Sequence, residues 1–234
     1  MNDSSDRLLD RVGAAAGIAV FALFLAIVMV APALPAPNRS IEAIARAAAD
    51  DATGILLGSY LGALMSGALL VFGASLAARM RRAEAAGGGW WLIALAGISA
   101  TAVGLATDAI VTTFVRSVGH GVRGATLWIG YPSGPDGVLI AIPLAVFFLG
   151  AGLGARSTAI LPRWLGNTAL ALAALFVVGA GSVTGSEVDG GVLGLPLLLG
   201  YLGLLVWIVS ASISLWRGAT VARSGAVVLQ GAES

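Results

Sequence analysis

Charged residues punctuate this chain, and the stretches between them are continuously apolar. Between Arg11 and Arg39 lie 27 uncharged residues, and 27 more lie between Asp51 and Arg79. Glu84 to Asp108 encloses 23, Asp136 to Arg156 encloses 19, Arg163 to Glu187 encloses 23, and Asp189 to Arg217 encloses 27. A helix crosses a hydrocarbon core of roughly 30 Å with about 20 apolar residues. Strands of a membrane β-barrel would instead alternate in segments of about 10 residues. The pattern predicts an all-α, polytopic membrane helical bundle with six transmembrane helices.

The expected spans are 13–35, 54–78, 90–115, 137–155, 165–184 and 192–216, within one transmembrane domain at 13–216. Short tails at 1–12 and 217–234 flank it, the second expected to be mobile from residue 220. The first apolar run exceeds the 7–15 residues of a usual signal-peptide core, so it reads as a retained helix. Residues 40–52 (SIEAIARAAADDA) read as a further helical piece, with Ser40 as its cap and Ile41, Ile44, Ala45 and Ala48 on one face. It lies on the outer surface or extends helix two. Pro143 and Pro196 fall inside spans four and six, where each removes a backbone donor and favours a kink.

Composition agrees with the pattern. Of 234 residues, 58% are hydrophobic and 11% charged, and mean hydropathy is +0.95. A soluble domain carries about 25% charged residues. Cysteine is absent and histidine occurs once, so no thiolate or His-rich metal site is available. No metal and no cofactor are expected. A net charge of +1 gives no nucleic-acid footprint.

Charge also sets an orientation. All 13 basic residues are arginines. With a cytoplasmic N-terminus, nine fall inside (Arg7, Arg11, Arg79, Arg81, Arg82, Arg156, Arg163, Arg217, Arg223) and four outside (Arg39, Arg46, Arg116, Arg123). The positive-inside rule then predicts both termini cytoplasmic. Trp90, Trp91, Trp164 and Trp216 fall at the inner ends. Tyr60, Trp128, Tyr131 and Tyr201 fall at or near the outer ends, as interfacial aromatic belts should. The expected location is the cell (inner or plasma) membrane.

Small residues mark expected close approaches. Gly58 and Gly62 on helix two, and Gly150 and Gly154 on helix four, have the spacing that lets helices pack tightly.

Candidate chemistry is sparse. The midplane offers only Ser66, Ser99 and Thr101, each satisfiable by its own helix, and no ionisable group. Ion-coupled transport therefore has no visible relay. Asp108 is the one acid within a span, about 27 Å along the helix from Trp90 and so near the outer edge of the hydrocarbon. It should face the bundle or an outer vestibule, because a carboxylate facing acyl chains is desolvated without a partner. Arg46 and Arg123 are its best arginine partners, and Tyr60 and Tyr201 complete the candidate ligand-binding set. Asp108 with His120 is the candidate general-base pair.

Three pieces carry a resemblance: SIEAIARAAADDATGILLGSYLGAL, the following ARMRRAE, and PLAVFFLGAGLGARSTAILPRWLGNTALALAAL, with LPRWLG at 161–166 the most recognisable. In these the chain resembles uncharacterised six-helix bacterial integral membrane proteins of unknown function. The resemblance implies a polytopic architecture and carries over no catalytic residues.

The leading functional expectation is a structural or accessory membrane subunit, with membrane lipid and other membrane-protein subunits as partners and no nucleic acid. The alternatives are small-molecule or lipid binding in an outer-leaflet cavity, and an intramembrane enzyme acting on an apolar substrate.

Overall fold

The computed structural model describes residues 3–30, 50–84, 88–118, 136–181 and 191–231, with side chains described at 5–30, 50–84, 88–107, 140–181 and 195–217. Among the described residues there are six helices and no strand: α1 (Asp3–Val30), α2 (Ala52–Ala83), α3 (Trp90–Val118), α4 (Asp136–Thr158), α5 (Arg163–Ala180) and α6 (Gly191–Gly231). All six are long and apolar enough to cross a membrane. The chain is thus a multi-pass membrane protein.

Several helices outrun their apolar stretches. Residues 3–12, expected as a tail, are helical and continuous with α1. Residues 217–231, also expected as a tail, continue α6. Pro143 and Pro196 lie inside α4 and α6 without ending them. Asp51 caps α2, its Oδ1 accepting from the Gly54 amide at 3.1 Å. The Ser40 cap and the helical segment expected before residue 50 lie outside the described residues.

Each helix packs on its neighbours in sequence, and α6 returns to pack on α1, closing a ring. α2 also reaches α4 across it. Six crossings bring both termini to one end. There the Arg11 guanidinium sits 6.0 Å from the Trp216 ring centroid, and Arg79 Nη1 donates to the Leu215 carbonyl at 3.4 Å. This is the terminal end, and the opposite one the distal end. The outside of the ring is as apolar as its interior: Leu195, Leu198, Leu202 and Val206 are exposed along α6. That distribution fits lipid as the surrounding solvent.

An aromatic cluster fills the middle of the ring. Trp207 of α6 meets Phe72 of α2 and both Phe147 and Phe148 of α4 edge-to-face, at centroid distances of 6.4, 5.7 and 5.2 Å. Phe148 stacks on Phe176 of α5 at 5.9 Å. Edge-to-face pairs set the positive ring edge against a neighbour's negative face, which adds to dispersion. Trp207 also donates its indole N–H to the Leu165 carbonyl at 2.9 Å, so its polar atom is satisfied within the apolar interior.

Close approach between helices falls at particular small residues. A Cβ at Gly97 would collide with the backbone of Phe147, and one at Gly150 with the backbone of Ala94, so α3 and α4 meet backbone to backbone. Gly154 faces the end of Met80. Gly62 does not act this way: a Cβ there would meet nothing within 4 Å, so that half of the Gly58–Gly62 reading is corrected. Helix two turns this position to open space. The tight pair is instead Gly13 and Gly17 of α1, pressed on Ser75 of α2 and Ser212 of α6. Ser66 also departs from expectation. Its hydroxyl donates to the Ala102 carbonyl of α3 at 2.7 Å and so ties two helices together. Thr101 does bond within its own helix, to the Gly97 carbonyl at 2.9 Å.

Candidate functional site

On the distal side of the aromatic cluster the ring does not fill. One turn beyond Phe72, Phe147 and Trp207 stand Leu69, Leu144 and Leu204, and between them opens a cavity of about 280 Å³. Its deep wall is buried: Val20, Leu69, Thr101, Leu144, Leu205 and Ile208. Towards the distal end Phe24, Leu105, Ile140 and Tyr201 line it and are only half-buried. Five helices contribute, α5 being the exception.

The reason for the void lies in the sequence. The middle of the ring is plugged by phenylalanine rings and a tryptophan. The next turn supplies aliphatic residues in their place, and these do not reach the ring axis. The lining carries no charged side chain among the described residues. Thr101 brings a hydroxyl, already engaged by Gly97. Tyr201 packs edge-to-face on Phe176 at 5.4 Å, its ring held at the cavity wall.

Of the residues singled out from the sequence, Tyr201 lines the cavity. Tyr60 does not: it lies on the outside of α2, 62% exposed. The backbone of Asp108 lies in α3, one turn beyond Leu105, and its side chain lies outside the described residues. Arg46, His120 and Arg123 also lie outside them. Among the described residues, no group of three or more His, Asp or Glu is placed to hold a metal ion.

At the terminal end, arginines that set the expected topology also pair with acids of α1. Arg79 Nη1 pairs with Asp10 Oδ2 at 3.2 Å. Arg82 spans Asp6 Oδ1 at 3.0 Å and Asp10 Oδ1 at 2.9 Å. α1 and α2 are thereby clasped at their charged ends, and Arg79 adds the α6 carbonyl. The signal was present in the sequence. Asp6 and Asp10 share a face of α1, one turn apart, as Arg79 and Arg82 do on α2. Glu84 accepts from the Trp91 amide at 3.2 Å, and Arg81 lies 5.3 Å from the Trp91 ring centroid.

The resemblance noted in the sequence extends to the six apolar helices and no further. No known protein family, no curated protein and no solved structure matches this chain.

Proposed function

We propose that this is a cell-membrane protein, its termini cytoplasmic, that holds the hydrocarbon chain of a lipid or a comparable apolar molecule between its helices. The observation that carries this reading is the apolar cavity of about 280 Å³. Water needs two to four polar partners in such a space, and the described lining offers almost none. Left empty, such a void costs its apolar walls the contacts that a filling chain would make. Its size lies near the lower edge of ligand pockets, about 300–1,000 Å³, and so suits one chain rather than a whole lipid. The nine-to-four arginine asymmetry supports that orientation, under which the cavity lies in the outer leaflet.

A structural or accessory role, with other membrane subunits as partners, is what remains if the cavity is empty in the membrane. An intramembrane enzyme needs an acid or base at the apolar site, and the described lining offers only the Tyr201 phenol.

The test is native mass spectrometry of the full chain purified in mild detergent, with organic extraction of whatever is bound. A stoichiometric adduct carrying an acyl or other long apolar chain is expected. A bare protein mass, with no stabilisation on adding phospholipid or fatty acid, would leave the accessory role.

A further inference from the structure

The turn joining α4 to α5 carries two arginines that the fold does not neutralise. Arg156 lies in the last turn of α4, and Arg163 opens α5. Both are exposed, and neither joins an ion pair among the described residues. Nor do the described acids at this end answer them. Asp6 and Asp10 are held by Arg79 and Arg82, and Glu84 accepts from the Trp91 amide. The stem of Arg156 is drawn across α5, its Cγ only 3.2 Å from the Cβ position of Gly166, in the turn that Arg163 begins. Two like charges thus share one short segment.

That segment is anchored and faces outward. Leu161 and Leu165 are buried beneath it, while Trp164 stands 54% exposed beside Arg163. Exposed tryptophan at a helix end sits at headgroup level in a bilayer. Guanidinium forks match phosphate oxygens in bidentate geometry. We infer that Arg156 and Arg163, with Trp164 at the interface, form a binding site for the phosphate headgroup of an anionic phospholipid at the terminal end of the bundle. This site is separate from the cavity: it reads the headgroup, at the opposite end from the one towards which the cavity opens.

The experiment titrates the full chain in detergent with phosphatidylglycerol and with phosphatidylcholine of identical acyl chains, read by native mass spectrometry. The wild type should prefer the anionic lipid by about tenfold, with basic residues near the surface each contributing a several-fold share. R156Q/R163Q should fall to the phosphatidylcholine level. R81Q, whose arginine lies over Trp91 on another turn, should keep the preference. Equal binding of both lipids by the wild type overturns the site without recourse to any variant. So does an undiminished preference in R156Q/R163Q, or an equal loss in R81Q, which would mean diffuse surface charge. Displacement of the lipid by millimolar inorganic phosphate would mean a free-anion site and would also overturn it. Cavity occupancy by a chain is indifferent to headgroup, so neither result bears on the other.

Discussion

The indole N–H of Trp207 on α6 donates to the backbone carbonyl of Leu165 on α5, 2.9 Å away, and Thr168 Oγ1 donates to that same carbonyl at 3.1 Å. The start of α5 is thus tied to the ring by a polar contact buried in apolar surroundings. Trp207→Phe keeps an aromatic ring among Phe72, Phe147 and Phe148 but removes the donor. The carbonyl keeps a partner in Thr168, so the loss should be about 1–2 kcal/mol, near the net value of a hydrogen bond plus some packing. Trp207→Ala also opens a void and should cost about 3–5 kcal/mol. Denaturant or thermal unfolding in detergent measures both. A Trp207→Phe variant as unstable as Trp207→Ala would mean that the hydrogen bond, not the ring, holds the junction.

Gly17 and Gly62 both look like packing glycines in the sequence, and the structure separates them. A Cβ at Gly17 would collide with Ser212 Oγ and lie 2.8 Å from a carbon of Phe72; one at Gly62 would meet nothing within 4 Å. Gly17→Ala should therefore destabilise by about 1–3 kcal/mol through overpacking. Gly62→Ala should be neutral or slightly stabilising, because alanine is the better helix former by about 1 kcal/mol. Thermal stability of the two variants, measured side by side in one detergent, checks this. An equal loss at both sites would place α2 against an element at Gly62.

These glycines show how far the sequence was legible. The six helices could be read because apolar runs bounded by charge are a one-dimensional signal fixed by bilayer thickness. Which face of a helix meets a neighbour is a different matter. In a membrane both faces are apolar, so hydrophobic periodicity no longer marks the inside. That is why the shared four-residue spacing does not tell Gly62, which faces open space, from Gly13 and Gly17, which are tightly packed. Ser66 illustrates the same loss: its partner, the Ala102 carbonyl, is set by the approach of α2 and α3, not by spacing along α2. The cavity was invisible for a related reason. It arises where Leu69, Leu144 and Leu204 precede the bulky Phe72, Phe147 and Trp207 by one turn on three different helices. Only the assembled ring sets those positions at one level.

Asp10 and Asp6 should differ in importance within the terminal clasp. Asp10 engages Arg79 and Arg82, and its side chain is 13% exposed; Asp6 engages Arg82 alone and is 29% exposed. Asp10→Asn removes the shared negative charge and keeps one acceptor oxygen for the two arginines, and should cost about 1.5–3 kcal/mol, the range for hydrogen bonds to charged groups. Asp6→Asn should cost under about 1 kcal/mol, as for a partly exposed pair. A double-mutant cycle of Asp10→Asn with Arg79→Gln should give a coupling of at least about 0.5 kcal/mol. Zero coupling would show that the two groups are neighbours without a useful interaction.

The arginine asymmetry predicts one orientation over the other. Arg79, Arg81 and Arg82 end α2, and the connection to α3 is short, so a reporter fused at residue 85 should lie in the cytoplasm. A reporter at residue 125, beyond the end of α3, should lie on the opposite side. Paired alkaline phosphatase and fluorescent-protein fusions read this directly. Both fusions active on one side would contradict the arginine asymmetry, and reversed sides would place the cavity in the cytoplasmic leaflet.

Filling the cavity should uncouple the protein from its ligand without unfolding it. Leu105 on α3 is half-buried where the cavity approaches the distal end, and Ile140 and Tyr201 also line that part. Leu105→Trp can direct its larger ring into the existing space, so it does not incur the usual cost of overpacking a filled core. The unliganded variant should be as stable as the wild type, or more so, because the void is partly filled. The ligand response should change in the opposite direction. A ligand that binds only the folded state stabilises by about 2.7 kcal/mol at one hundred times its dissociation constant. Added lipid or fatty acid should therefore raise the wild-type melting temperature and leave that of Leu105→Trp nearly unchanged. A deeper substitution, Leu144→Trp, is a poorer test, because Leu144 is fully buried and the larger ring would strain the aromatic floor. If Leu105→Trp responds to added lipid as strongly as the wild type, the stabilising chain binds elsewhere, on the outer faces of the helices, and the cavity holds no ligand.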